Sequence, residues 1–118
     1  MSNFNNDDDL IRRIHPSHVI MDKRIGKKRP ASGAFENTSG TLNMSVDLRR
    51  LIDPPKDYLK GCPDYCLAIF KVELAYALNQ AVEYTPLSNN QAHCDVVGKK
   101  VESVKRKFAL SSELKCEL

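Results

Sequence analysis

The three histidines are the residues most suited to proton transfer. His15, His18 and His93 could each act as an acid or a base, because an imidazole changes its charge near neutral pH. The alternative for each is a ring that only satisfies hydrogen bonds in a turn or an extended segment. His15 and His18 have a spacing that would suit a metal on a helix face, but Pro16 between them opposes a continuous helix.

The segment from Arg12 to Asp47 is the most informative for ligand binding. It combines arginines, small residues around Ser32, an aromatic residue at Phe35 and a serine at Ser45. Small residues let backbone N–H groups approach an anion, and arginine offers paired donors to phosphate or carboxylate. Phe35 could stack on a base, although a core position is favoured. The predicted ligand-binding residues are Arg13, His15, Arg29, Ser32, Phe35, Ser45, His93 and Lys100.

The cysteine spacing does not predict a metal site. The chain has four cysteines, at Cys62, Cys66, Cys94 and Cys116. Zinc ligands usually come as closely spaced pairs, and these do not. The chain also lacks a Gly-rich phosphate loop and the motif of a nucleophile elbow. We therefore predict no metal and no cofactor. The sequence alone does not decide whether the protein is an enzyme.

The N-terminus predicts a cytoplasmic location. Residues 1–9 are polar and acidic, without the basic flank and apolar run of a signal peptide. Cytosolic thiols are kept reduced, so the cysteines are expected to be free. No stretch of about 20 apolar residues occurs, so neither a membrane span nor a membrane partner is expected.

Length and composition predict one globular domain. The chain has 118 residues, of which 42% are hydrophobic and 28% are charged. Residues 1–9 are predicted to be a flexible tail and residues 10–118 a single α+β domain. The fold class that we expect is a mixed or antiparallel sheet with a few short helices packed on it and a C-terminal amphipathic helix.

Alternating hydrophobicity predicts the strands. Residues 42–48 place Leu42, Met44, Val46 and Leu48 on one side, which is typical of a half-buried strand. Residues 65–81 are ambiguous, because the apolar positions also fit one helical stripe; we choose a strand over 65–71 and a helix over 73–79. The other predicted strands are 18–21, 80–85 and 93–97.

Helices are predicted from the spacing of apolar residues and from the positions of helix-breaking residues. Val101, Val104 and Phe108 recur at helical spacing, which predicts an amphipathic helix over 100–109. A short helix or turn is expected through Leu10–Ile14, capped by an aspartate and ended before Pro16. Another short helix is expected over Pro55–Gly61, and residues 22–30 are expected to form a loop.

The charges are patchy although the net charge is only +3. One basic run lies within residues 23–29 and another within 99–107. Such patches could bind an anion, a nucleic acid or an acidic protein, or could be solvated faces. Neither basic run is interleaved with aromatic residues, which weakens base stacking as a binding mode.

Four sequence segments resemble a family of small bacterial proteins of unknown function. The segments are Arg13-Ile14-x-Pro16, Arg29-Pro30-x-Ser32-x-Ala34-Phe35, Met44-Ser45-Val46-Asp47 and Ala92-His93-x-x-Val96-x-Gly98-x-Lys100. The likeness covers about residues 10–108 and supports the strand-then-helix choice for residues 65–81. It implies no particular activity.

A second resemblance is to ADP-ribosyltransferase-like folds. These proteins hold a nicotinamide dinucleotide with an arginine, a small-residue segment carrying an aromatic residue, and a serine on a later strand. The resemblance implies those roles for Arg13, Ser32, Phe35 and Ser45. The chain is short for that fold, and Glu83 is its only convenient catalytic glutamate.

Three functions are therefore compared. The first is a binding or regulatory module that acts through an Arg/Ser/His pocket or a protein partner. The second is an enzyme or binder for a nucleotide or another phosphorylated ligand. The third is nucleic-acid binding through the basic runs, which is the least favoured. We expect the binding module.

Overall fold

The computed structural model describes residues 4–52 and 64–116. Within these residues the chain forms eight strands and two α-helices. The strands are β1 (Asp9–Ile14), β2 (Val19–Asp22), β3 (Lys27–Pro30), β4 (Asn43–Leu48), β5 (Cys66–Lys71), β6 (Ala81–Tyr84), β7 (His93–Val97) and β8 (Glu113–Lys115). The helices are α1 (Val72–Ala77) and α2 (Glu102–Ser111). Neither helix is long and apolar enough to cross a membrane.

Six strands form one antiparallel sheet in the order β6-β7-β4-β1-β5-β8. The remaining two, β2 and β3, pair as a separate antiparallel hairpin. The fold is thus α+β with an antiparallel sheet and a C-terminal helix, which confirms the predicted fold class.

The two helices pack on one side of the sheet, here called the helix face. The core on this side joins alternate residues of the strands to α1 and α2. Phe35 lies stacked on Phe108, with ring centroids 5.6 Å apart, and Phe70 contacts both rings. These contacts fix α2 against β5 and against the short 3-10 turn that precedes Phe35.

The opposite side of the sheet, here called the second face, carries a smaller apolar cluster. Ile11, Leu67 and Ile69 contribute to it from β1 and β5, together with Ile52 and Ala92. Because side chains alternate along a strand, Arg13, Ser45 and His93 point to this side. The candidate site therefore lies away from the helices.

The predicted alternation in residues 42–48 is confirmed. Met44, Val46 and Leu48 are buried, whereas Leu42 lies before the strand and is 51% exposed. The predicted strands 18–21, 65–71, 80–85 and 93–97 correspond to β2, β5, β6 and β7. The helix predicted over 73–79 is α1, and that over 100–109 is α2. Val101 precedes α2 and is exposed.

Two segments differ from the sequence-based expectation. Leu10–Ile14 is a central strand and not a helix, because Leu10 and Ile14 pack on the helix face while Ile11 packs on the second face. Residues 22–30 are not a continuous loop. Gly26 has a φ of +71°, which allows the turn that sends β3 back along β2. The helix predicted over Pro55–Gly61 lies outside the described residues.

The main sheet splits between β1 and β4. These strands are paired at Leu10↔Leu48 and Ile11↔Asp47. From there β1 stays with β5 as far as Ile14↔Cys66, and β4 stays with β7 as far as Asn43↔Val97. A gap therefore opens in the middle of the sheet at Arg12, Arg13 and Ser45.

The expectation of free thiols is wrong for two cysteines. Cys66 in β5 and Cys116, just after β8, form a disulfide. Cys94 is a free, buried thiol, and burial raises its pKa to about 12. Cys62 lies outside the described residues. The free thiols were expected because of the predicted cytoplasmic location, and disulfides are rare in the cytosol. The location itself stays a prediction.

Reduction of the disulfide is expected to lower the free energy of unfolding by about 2–4 kcal/mol. The bond closes a loop with a sequence separation of 50, which restricts the unfolded chain. Urea titrations of the native protein, of the reduced protein and of Cys66→Ser/Cys116→Ser would measure this. Non-reduced peptide mapping that finds no Cys66–Cys116 linkage would contradict the assignment.

Candidate functional site

A cavity of about 230 Å³ opens at the split between β1 and β4. Its walls come from the two separating strands, from the start of β7 and from the residue before β5. The lining residues are Ile11, Arg12, Arg13, Ser45, Val46, Asp47, Tyr65 and His93. Three of the predicted ligand-binding residues, Arg13, Ser45 and His93, thus meet in one cavity.

Arg12 fills the gap between the strands. Its Nη1 donates to the carbonyl of Ser45 (2.7 Å) and its Nε to the carbonyl of Ala34 (2.8 Å), with a longer contact from Nη2 to the carbonyl of Glu36 (3.4 Å). The guanidinium therefore connects β1 to β4 and to residues 34–36. Burial and the adjacent Arg13 lower the pKa of Arg12 to about 10.

Arg13 is held by a buried carboxylate. Its Nη1 lies 3.0 Å from Oδ2 of Asp47, whose side chain is 3% exposed, whereas the Arg13 side chain is 33% exposed. Oδ1 of Asp47 accepts from the Asn90 amide at 2.8 Å. Because both oxygens of Asp47 are engaged, the carboxylate holds the Arg13 guanidinium at the edge of the cavity.

Ser45 and His93 form a hydrogen-bonded pair across β4 and β7. The distance from Oγ of Ser45 to Nε2 of His93 is 3.2 Å. On the other side of the ring, Nδ1 of His93 lies 2.8 Å from the carbonyl oxygen of Thr85 and 3.0 Å from the hydroxyl of the same residue. A carbonyl only accepts, so Nδ1 carries the proton, and Nε2 is left to accept from the serine hydroxyl.

His15 lies beside the cavity and does not line it. Its ring contacts the lining residue Tyr65 edge-on, with centroids 5.1 Å apart. Its Nδ1 accepts from the backbone N–H of Ser17 at 3.1 Å and lies 2.8 Å from the Ser17 hydroxyl. His15 thus caps the short 3-10 turn at residues 16–18, and His18 lies within that turn.

The described residues that line the cavity carry more positive than negative charge. Arg12 and Arg13 contribute two guanidinium groups, and Asp47 contributes one carboxylate. Asp95 of β7 lies opposite Ser45 of β4 in the sheet, but it does not line the cavity. Over residues 4–52 and 64–116, no group of three or more His, Cys, Asp or Glu side chains could hold a metal ion. The described lining offers arginine, serine and histidine side chains to a ligand.

Three other predicted residues lie elsewhere. Arg29 is in β3, where its Nε bonds Asp22 at 2.7 Å, and its side chain is 15% exposed. Ser32 is in the 3-10 turn at residues 32–34 and does not line the cavity. Phe35 is completely buried among aromatic rings, so it cannot stack on a ligand. The preferred core position of Phe35 is confirmed.

Lys100 is also a structural residue. It is 9% exposed, and its Nζ donates to Oδ1 of Asn37 (2.6 Å) and to the carbonyls of Val96 and Gly98 (both 3.0 Å). It thereby holds residues 36–38 against the end of β7. These three acceptors are neutral oxygens. Burial and the charge of Arg12 lower the pKa of Lys100 to about 8, although Asp95 acts in the opposite direction.

Several residues that build the site were not among those predicted. Arg12 is the most important, and its position between the apolar residues Ile11 and Ile14 in a central strand would have been the signal. Asp47 lies in the recognised strand β4, but nothing local indicates that it is buried. Thr85 contributes a backbone carbonyl, for which the sequence has no signal.

No family model matches the chain, and comparison with curated proteins and with solved structures gave no match. The two sequence resemblances therefore stay predictions, including the role that the second one implies for Glu83. The properties of the site rest on its own geometry.

Lys100 is expected to make stability depend on pH between about 8 and 10.5. Folding lowers the pKa of Lys100. Its favourable contribution to the free energy of unfolding is therefore fully present above the pKa of the unfolded state, and it is lost as the pH falls through the pKa of the folded state. Unfolding of the wild type should become harder from pH 8 to 10.5, by roughly 1–3 kcal/mol more than for Lys100→Met. Lys99→Met, at an exposed neighbour, is the matched control.

Urea titrations at a series of pH values would measure this difference. Parallel pH profiles for the wild type and Lys100→Met would show that the Lys100 ammonium is not penalised in the folded protein.

Proposed function

We propose that this protein is a binding module for a small anionic ligand, held in the cavity between β1 and β4. The ligand class is a molecule that carries a phosphate or carboxylate group. Arg13 supplies the charged donor, and Ser45 and His93 supply neutral hydrogen-bonding groups.

The observation that carries this proposal is the partly exposed Arg13 guanidinium, fixed by buried Asp47 in a cavity that also contains Arg12. An arginine held in one orientation loses less conformational entropy when it binds an anion. Among the described lining residues there is one more guanidinium than carboxylate, which favours a negatively charged ligand.

The size of the cavity supports a small ligand. Its volume of about 230 Å³ is below the roughly 300–1,000 Å³ of pockets that bury drug-sized molecules. A phosphate or carboxylate group with a short substituent fits this volume. A nucleotide would need to extend beyond the cavity, which leaves nucleotide binding as the weaker form of the proposal.

Nucleic-acid binding through the basic runs has less support. Within the described residues, Arg29 pairs with Asp22 and Lys105 pairs with Glu36 at 3.0 Å. Lys100 is buried as well. Part of each run is therefore buried or paired with a carboxylate of the same chain, which leaves less positive charge to neutralise nucleic-acid phosphates.

The proposal predicts that the wild type binds inorganic phosphate and that Arg13→Gln weakens this binding by about tenfold or more, because a charge-assisted hydrogen bond is lost. Isothermal titration calorimetry at low salt would give both dissociation constants. Arg24→Gln removes the same charge from a side chain that is 81% exposed in the β2–β3 hairpin, and it is expected to change binding less than about twofold.

Thermal unfolding of both variants would show that they are folded, which matters because Arg13→Gln leaves Asp47 without its ion-pair partner. An equal loss of phosphate affinity in Arg13→Gln and Arg24→Gln would reduce the effect to net charge and reject the site. Absence of phosphate binding by the wild type would reject it as well.

A further inference from the structure

We propose that Ser45 and His93 form a catalytic pair that hydrolyses small esters, with Ser45 as the nucleophile and His93 as the general base. The choice of an ester that carries a negative charge rests on the proposed anion binding at Arg13. The reactivity of the serine itself rests on its hydrogen bonds.

The pair has the arrangement that activates a serine. The hydroxyl lies 3.2 Å from Nε2 of His93, and the Thr85 carbonyl holds the proton on Nδ1 at 2.8 Å. A nucleophile within reach of a base that is oriented by a third group is the general pattern of nucleophilic catalysis. Thr85 takes the orienting role through its backbone, so no carboxylate is needed to fix the ring.

Ser45 is also accessible to a substrate. It is exposed, and both it and His93 line the cavity that contains the two arginines. Positive charge beside the serine would stabilise the oxyanion that develops on the substrate. The same arginines would attract an ester with a negatively charged group on its acyl chain.

The chain contains a second serine–histidine contact that lacks these features. Ser17 lies 2.8 Å from Nδ1 of His15, which is shorter than the contact between Ser45 and His93. However, the same Nδ1 already accepts the backbone N–H of Ser17. Neither Ser17 nor His15 lines the cavity, so this pair serves as a comparison within the same molecule.

The reaction proceeds in two balanced steps. Nε2 of His93 removes the proton of Ser45 as Oγ bonds to the ester carbonyl carbon, and the leaving alcohol departs with that proton as the C–O bond breaks. Water then attacks the acyl-serine and gives a proton to Nε2. The bond to Oγ breaks, the serine regains the proton, and a carboxylic acid is released.

A phosphonofluoridate with a short alkyl group tests the serine directly. Oγ of Ser45 would bond to phosphorus and expel fluoride, and the serine proton would leave as HF. The folded protein is labelled first and then digested. Mass spectrometry of the peptides is expected to place the adduct on Ser45 and not on Ser17. Labelling should be about 100-fold slower in His93→Gln, because a general base contributes at least this much.

Ser17→Ala is expected to label at the wild-type rate, and Ser45→Ala should give no adduct. Gln at position 93 keeps a side chain that can hydrogen bond, and thermal unfolding of each variant would confirm the fold. The proposal is overturned if Ser45 is not labelled, if His93→Gln labels as fast as the wild type, or if Ser17 and Ser45 label equally.

Two nitrophenyl esters test the class of substrate. Mono-4-nitrophenyl succinate carries a carboxylate and 4-nitrophenyl acetate does not, and we expect kcat/KM to be about tenfold higher for the succinate ester. Arg13→Gln should remove this preference, and Arg24→Gln, at a side chain outside the cavity, should keep it. Equal kcat/KM values for the two esters would overturn the anionic substrate class.

The two proposals can fail separately. Phosphate binding without labelling of Ser45 would leave the binding module and reject the catalytic pair. Labelling of Ser45 without phosphate binding would leave the catalytic pair and reject the anion site.

Discussion

The early separation of β1 from β4 is the constraint on which the site depends. A central strand normally has its backbone groups paired on both sides, and unpaired polar groups inside a protein are costly. Here the Arg12 guanidinium donates hydrogen bonds to the carbonyl of Ser45 and to the carbonyls of Ala34 and Glu36. Arg12 thus stabilises the gap, and the gap gives Arg13, Ser45 and His93 a common cavity. The cost of burying a charge in the sheet is offset by hydrogen bonds to carbonyls.

The sequence predicted those elements whose side chains follow a single rule. In β4, Met44, Val46 and Leu48 alternate with polar residues and lie on the helix face, as expected. β1 broke the rule, because Ile11 is apolar on the second face and Arg12 is polar between apolar neighbours. β3 was missed because its first three residues are charged, which a strand tolerates when its strand partner among the described residues is β2 alone. The turn at Gly26 decides the pairing of β2 with β3.

The candidate site was only partly accessible to the same reasoning. Residue type was enough to select Arg13, Ser45 and His93, since these groups bind anions or transfer protons. Their meeting depends on β4 lying between β1 and β7, an order that local patterns do not encode. Local patterns also do not show which of the predicted ligand-binding residues lie outside the cavity. Phe35 and Lys100 have suitable chemistry, yet long-range contacts with Phe108 and Asn37 place both of them inside the fold.

The disulfide between Cys66 and Cys116 has a consequence for association between molecules. β8 is a three-residue strand at the edge of the main sheet, and its only strand partner among the described residues is β5. A short edge strand of this kind is the sort of element that two chains exchange in domain swapping. The covalent bond from β5 to the residue after β8 closes this route, because the strand cannot leave its own sheet. Exchange of β8 between chains would therefore require reducing conditions.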